Sequence, residues 1–272
     1  MTYQVHFMNH EPITSCAICQ NSVFTQLTNA PDFNYFQCAT CQLIFLSPQP
    51  RPETLKELYT RPGLLQNGPA SAWFHHNQYY LKKLYQERLD DILQYVSTGL
   101  LLDVGCGMGD FCAVAREAGF SVSGTELSDE YAHHTKTTVG MTDIFIGRLQ
   151  DVEFSDRKFD VISLWHVFEH LPDPHEVLRT MKRMLRQGGV IAIEVPNVEC
   201  WQKRPMYVSD IKNYPESQLE HLFYFSEASL KLACKQAGFP LLQLRYVDSP
   251  QPTKSLAKHL LRQLKEPSKR LL

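Results

Sequence analysis

The stretch Leu100–Gly119, LLLDVGCGMGDFCAVAREAG, restricts the fold more than any other part of the chain. LLLDV is an apolar run of strand length, FCAVAREAG is a helix closed by Gly119, and between them lies a turn carrying Gly105, Gly107 and Gly109. Glycines remove side chains where backbone must bend and a ligand must come close, and the helix that follows presents unpaired N–H groups to that ligand. The same rhythm continues through strand SVSGTE, helix DEYAHHTKTT, strands DIFIG and FDVISLW, helix PHEVLRTMKRMLRQGG and strand VIAIEVP. Alternation of this kind predicts an α/β fold with a doubly wound, mostly parallel sheet, whose ligands sit beyond the carboxyl ends of the strands.

The turn departs from the dinucleotide fingerprint, because Asp110 stands where the third glycine of Gly-x-Gly-x-x-Gly would fall near the helix start. It also lacks the Gly-Lys-Ser/Thr of a phosphate-binding loop, so a polyphosphate ligand is disfavoured. Glu126 ends the second strand, where a carboxylate can accept hydrogen bonds from both hydroxyls of a ribose. The expected ligand therefore contains a nucleoside.

The ordered set Asp103-x-Gly105-x-Gly107-x-Gly109, Glu126 in GTELS, GRLQDVEF, FDVISLWHVFEHLPDP and GGVIAIEVPN resembles the class I S-adenosylmethionine-dependent methyltransferases over about Tyr79 to Tyr246. The resemblance implies a Rossmann-like domain with S-adenosyl-L-methionine as cofactor. It implies that Gly105, Gly107 and Gly109 lie under the methionine part, with Asp103 holding the surroundings of the turn. It further implies Glu126 and the following Leu127 at the ribose, Leu149, Gln150 and Asp151 flanking the adenine, and Leu164, Trp165 and His166 beside the transferred methyl.

HVFEHLPDPHEVL contains His166-x-x-Glu169-His170, the arrangement of one class of zinc peptidases. Such a helix needs several uninterrupted turns, and Pro172 and Pro174 follow His170 at once, so the peptidase reading fails. A histidine titrates near neutrality, which makes His166 a candidate base for a hydroxyl acceptor. HVFEHL also resembles the matching segment of ubiquinone-pathway O-methyltransferases, in which an acidic first residue and a Glu-His pair bind a divalent metal. Here the first position is His166; the alternative for Glu169 and His170 is to shape the turn through hydrogen bonds. PESQLEHLFYFSEASLKLACKQAGF resembles a segment of small-molecule and sugar methyltransferases that packs beside the substrate cavity, which makes His221 a second candidate base and a satisfied, partly buried histidine the alternative. LLQLRYV is expected to close the domain as a strand.

Cys16-Ala-Ile-Cys19 and Cys38-Ala-Thr-Cys41 form two knuckles 18 residues apart, the spacing of a closed, structural four-thiolate zinc site. The expected organisation is a zinc ribbon over 1–50, a linker and helical cover over 51–98, the methyltransferase domain over 99–250 and a basic amphipathic tail over 251–272. In the tail, Lys254, Lys258, Arg262, Lys265, Lys269 and Arg270 outnumber Glu266, and Leu256, Leu260, Leu261 and Leu264 share a helical face. That face permits weak peripheral membrane contact or packing on its own domain.

A formal net charge of −2 provides no global attraction to nucleic acid, and no basic residue lies between Cys16 and Cys41. MTYQVHFMNHEPIT lacks an apolar signal core, and no apolar run is long enough to span a bilayer, so a cytoplasmic protein is expected. The function these features favour is methylation of a small molecule or sugar-containing intermediate, at oxygen. The Asn/Asp-Pro-Pro-Tyr/Phe signature of many amino-group methyltransferases is replaced by Trp165-His166-Val167-Phe168. Zinc-knuckle enzymes that methylate carbon of nucleotide-linked deoxysugars are also similar, but continue into a further domain. The competing readings are an RNA methyltransferase that reads through the ribbon and a cofactor-binding adaptor without turnover.

Overall fold

The computed structural model describes residues 12–29, 33–60, 78–152, 154, 156–198, 220–247 and 270–271. The segment 61–77 expected to form a loop, and 251–269 of the basic tail, lie outside the described residues.

Three short strands, β1 (Phe24–Gln26), β2 (Asn34–Cys38) and β3 (Ile44–Ser47), form the N-terminal antiparallel sheet. Helices α1 (Pro52–Tyr59) and α2 (Gln78–Leu93) follow. The main sheet is built from β4 (Gly99–Val104), α3 (Asp110–Glu117), β5 (Phe120–Glu126), α4 (Asp129–Thr137), β6 (Ile144–Ile146), β7 (Phe159–Trp165), α5 (Pro174–Met184) and β8 (Leu185–Pro196). Last come β9 (Phe223–Tyr224), α6 (Glu227–Gln236) and β10 (Arg270–Leu271).

The strand order is β10-β8-β7-β4-β5-β6, with all neighbours parallel except β10 against β8. From β4 the chain winds outward through β5 to β6, then returns to lay β7 on the other side of β4. The order thus reverses between β4 and β7, and the crevice beyond their carboxyl ends is where ligands bind in such sheets. Helix starts agree with local chemistry. Ser128 accepts from the Tyr131 amide, Asp173 accepts from Glu176 with Pro174 at the first helical position, and Ser226 and Ser229 cap α6 reciprocally. Each such cap contributes about 1 kcal/mol.

The N-terminal strands do not stand apart from the larger domain. β3 pairs with β9, so a sheet begun near residue 24 is completed by Phe223–Tyr224. One continuous core joins Tyr35, Phe45 and Leu46 to Leu164, Phe168, Phe223 and Phe225, while a second core on the other face packs Leu89, Ile92, Phe111 and Cys112 against Leu101 and Val161.

Two expected elements differ. The helix expected to run through LRQGG ends at Met184, because Leu185 already pairs with Phe159 and starts β8. LLQLRYV does not form a strand: residues 241–245 carry no regular structure, and Leu241 and Leu242 are exposed. The β8 edge at Val195–Pro196 is paired with β10 instead, and a largely apolar cavity of about 180 Å³ separates residues 239–244 from 189–193.

Candidate active site

The turn after β4 takes its shape from glycine. Gly105 and Gly109 have φ of 68° and 80°. A Cβ on Gly105 would lie 2.6 Å from Val167 Cγ2, and one on Gly109 would lie 2.5 Å from Thr135 Cγ2. The turn is therefore clamped between the end of β7 and α4, and the Thr135 hydroxyl donates to the Gly107 carbonyl at 2.9 Å. Glu126, at the end of β5, reaches across to this loop. Its Oε2 accepts from the Gly107 amide and its Oε1 from the Ser128 amide, each at 2.8 Å. Burial raises the Glu126 pKa, against the three backbone donors Ser128, Gly107 and Leu127.

Asp103 is buried at the end of β4, where Ser163 of β7 donates to it at 2.7 Å and the Cys112 thiol of α3 lies 3.6 Å away. Burial pushes its pKa up to about 7, with Ser163, Cys112 and Arg88 opposing. Leu127, half-buried, follows Glu126. Gly147 donates to the Glu126 carbonyl and so leads the chain into Leu149, Gln150 and Asp151. Leu149 is buried in the core, Gln150 is exposed, and Asp151 accepts from Nε and Nη2 of Arg148. Leu164 is fully buried in the larger core. Trp165 packs edge-on against Phe111, with the Arg88 guanidinium 4.7 Å above its ring.

Beyond β7 the backbone bends sharply. His166 adopts φ 58°, a left-handed conformation uncommon outside glycine, and its amide donates to the Glu194 carbonyl. The ring is held between two carboxylates, with Nε2 3.0 Å from Glu194 Oε1 and Nδ1 3.3 Å from Glu169 Oε1. Glu194 also receives both Nε and Nη2 of the buried Arg88 at 2.9 Å. Burial alone would raise the Glu194 pKa, but the charge of Arg88 and the hydrogen bond and charge of His166 outweigh it and hold it well below the ordinary value.

Past His166, a short 3-10 turn over Phe168–His170 brings Glu169 and His170 beside His221, whose ring centroid lies 4.7 Å from that of His170. His170 Nδ1 is 2.7 Å from the Glu220 carbonyl and 2.8 Å from the Tyr59 hydroxyl, and His221 Nδ1 is 3.1 Å from the Tyr224 hydroxyl. Burial and then the neighbouring His170 lower the His221 pKa to about 3, with Glu169 opposing. Glu169 is wholly buried, and its Oε2 has no hydrogen-bond partner among the described residues. Burial keeps the Tyr59 phenol protonated, helped by the charges of Glu220, Glu169 and Glu126, so this cluster and the Glu126 loop share one electrostatic neighbourhood.

The four knuckle cysteines meet at the base of the N-terminal sheet. Cys16 and Cys41 are 3.5 Å apart at sulfur, Cys19 and Cys38 are 3.4 Å apart, and all four sulfurs lie within 4.8 Å of one another. A tetrahedron with metal–sulfur bonds of about 2.3 Å has edges of about 3.8 Å, so the set fits zinc. The two knuckles also share a local geometry. Gln20 and Gln42, each following its second cysteine, have φ of 63° and 62° and donate back to Cys16 and Cys38.

A doubly wound sheet with a clamped glycine turn at its switch point and a carboxylate on the next strand defines a class I S-adenosylmethionine-dependent methyltransferase. The family model described as a methyltransferase domain matches residues 73–244, more than half of the chain, and the chain belongs to that family. It is 26% identical over 162 residues to the ubiquinone biosynthesis O-methyltransferase of Haemophilus ducreyi, covering 53% of this chain and 66% of that protein. It is 38% identical over 120 residues to methyltransferase GfsG of Streptomyces halstedii, covering 41% of each. The chain thus spans less than two thirds of either relative. In fold it is similar to a SAM-dependent methyltransferase of Thermotoga maritima (TM-score 0.51, 18% identity, 67% of this chain and 84% of that one). It is similar also to one of Mesorhizobium loti (TM-score 0.51, 20% identity, 68% and 94%).

Arg88, Glu194, Tyr59 and Tyr224 were not singled out from the sequence. Glu194 left a trace there, since a carboxylate inside the apolar run VIAIEVP has to find a cation. The two tyrosines left none.

Proposed function

We propose that the protein transfers the methyl group of S-adenosylmethionine to an oxygen of a small-molecule or sugar-containing acceptor. The observation that carries this reading is the adjacency of two built sites: the Glu126-bridged glycine loop, and the Glu169, His170 and His221 cluster reached through Val167, which packs on Gly105. The loop would hold the cofactor, with Glu126 exchanging its backbone donors in part for the ribose hydroxyls. The cluster would hold and deprotonate the acceptor. In the transfer, an acceptor oxygen forms its bond to the methyl carbon as the carbon–sulfur bond breaks. The sulfur keeps the electron pair, and the acceptor's proton leaves to the cluster.

The imidazole-rich surroundings support oxygen, as does the likeness to a protein named as an O-methyltransferase. In this reading His166 is a positioning residue. Both of its ring nitrogens face carboxylates, Nδ1 towards Glu169 and Nε2 towards Glu194, so neither is turned to an acceptor's proton. For the same reason the metal set implied by the ubiquinone-pathway resemblance does not fit at position 166. The four cysteines would hold a structural zinc that closes the ribbon without entering the chemistry. Among the described residues no helix is long and apolar enough to cross a membrane.

Isotopically labelled S-adenosylmethionine incubated with the protein and fractionated cell extract tests the assignment. Label should enter a small-molecule fraction as an alkali-stable ether. Label in RNA, or none in any fraction, would overturn it.

A further inference from the structure

We propose that Tyr35 and Tyr224 are positioning residues for the transfer: together they fix the His221 ring in the tautomer that carries its proton on Nδ1 and keeps the lone pair on Nε2. The purpose of this tautomer rests on the methyl-transfer reading above, but its geometry does not.

The directions of three hydrogen bonds decide the tautomer. The Tyr35 hydroxyl meets the His221 carbonyl at 3.1 Å, and a carbonyl only accepts, so the single phenolic proton of Tyr35 is spent there. Tyr35 also shares a hydrogen bond with the hydroxyl of Tyr224, whose ring meets its own edge-on. With its proton spent, the Tyr35 oxygen can only accept, so Tyr224 is the donor. The Tyr224 hydroxyl then has no proton to give to His221 Nδ1, 3.1 Å away, and that nitrogen has to donate. Burial and the neighbouring His170 keep the ring neutral, and a neutral imidazole carries one N–H, so Nε2 keeps its lone pair. The bonds form a closed circuit that starts and ends on His221.

Tyr35 and Tyr224 are 0% and 3% exposed, which shields the circuit from competing solvent donors. Nε2 of His221 has no hydrogen-bond partner among the described residues. It is therefore the nitrogen that can serve an acceptor hydroxyl. As the acceptor oxygen bonds to the methyl carbon and sulfur keeps the electron pair of the broken bond, the acceptor's proton passes to Nε2. The ring becomes an imidazolium, its Nδ1–H still held by Tyr224 and its charge opposed by Glu169. The other tautomer would turn an N–H to the acceptor and take no proton. Tyr35 lies on β2, between the cysteine knuckles and ahead of the matched residues 73–244, so the ribbon supplies this control.

Nitrogen–proton correlation spectra of the full zinc-loaded chain, grown with isotopically labelled histidine and assigned with His221→Asn, test the tautomer. His221 should show a protonated Nδ1 and an unprotonated Nε2. Tyr35→Phe frees the Tyr224 proton for Nδ1, so the proton should move to Nε2. Transfer from labelled S-adenosylmethionine to the extract fraction should then fall at least about tenfold, with zinc content and S-adenosylhomocysteine affinity as in the parent. Tyr224→Phe removes the partner of Nδ1 and should also disturb the tautomer and lower transfer, which keeps the test decisive if Tyr35→Phe does not fold. A protonated Nε2 in the parent, spectra unchanged in both variants, or undiminished transfer in a variant whose tautomer has changed would overturn the proposal. The expected spectra with no label transferred by the parent would uphold the tautomer and sink the methyl-transfer reading instead.

Discussion

The Tyr35 hydroxyl, in the middle of the cysteine-bearing sheet, donates a hydrogen bond of 3.1 Å to the carbonyl of His221, 186 positions later in the chain. Tyr35 is fully buried and meets Tyr224 edge-on at 5.6 Å, and Leu46 donates to the Leu222 carbonyl. The ribbon is thus the back wall of the His221 cluster, while the Glu126 loop belongs to the other sheet.

Losing the ribbon should accordingly separate two activities. Cys38→Ser, or zinc stripped under reducing conditions, should lower zinc content from about one per chain to none. Label transfer to the acceptor fraction should fall with it, while S-adenosylhomocysteine binding measured by calorimetry persists. Equal loss of both would show that the ribbon supports the whole fold.

Glu126→Ala removes the acceptor for the Gly107 and Ser128 amides as well as the expected ribose contact. Cofactor affinity should drop at least about tenfold, equivalent to about 1.4 kcal/mol. Calorimetric titration with S-adenosylhomocysteine reads this directly, and parental affinity would refute the role of Glu126.

Gly105→Ala places a methyl 2.6 Å from Val167 Cγ2 at a φ of 68°. Combined overlap and backbone strain should cost about 2 kcal/mol of stability and loosen cofactor binding. Urea denaturation and cofactor titration check the two effects separately.

Arg88→Ala leaves Glu194 buried without its guanidinium, which should cost about 3–5 kcal/mol in chemical denaturation. Because Glu194 has a depressed pKa in the folded chain, its contribution is complete above the unfolded carboxylate value and is lost as pH falls below it. Arg88→Met combined with Glu194→Leu should recover much of the loss and remove that part of the acid sensitivity.

Asp103 has the opposite sign. With its pKa raised to about 7 by burial, the folded chain holds this proton where the unfolded chain has released it. From about pH 4 to 7 its stabilising contribution therefore declines as pH rises, by up to about 4 kcal/mol. Asp103→Asn should flatten the stability profile over that window, as measured by urea denaturation at stepped pH. An unchanged slope would place the titration elsewhere.

Much of this molecule was legible in its sequence because the deciding forces are local. The glycine turn, the capped helices, the strand rhythm from Leu100 and the two cysteine knuckles each write their geometry into a few adjacent residues. The end of α5 and the LLQLRYV segment were read less well, since a strand forms only where a neighbouring edge offers pairing. Leu185 found such an edge at Phe159, whereas residues 241–245 did not.

The sequence by itself determined the doubly wound domain, the knuckles, and the placing of Glu126 beside the turn. Tertiary structure alone decided that His166 would spend both nitrogens on Glu169 and Glu194, that Arg88 would pair with a residue 106 positions away, and that Tyr35 would hold His221. Each of these depends on which buried polar groups meet when distant segments pack. A buried charge or ring nitrogen must take whatever partner the fold brings, and no short-range pattern records that choice.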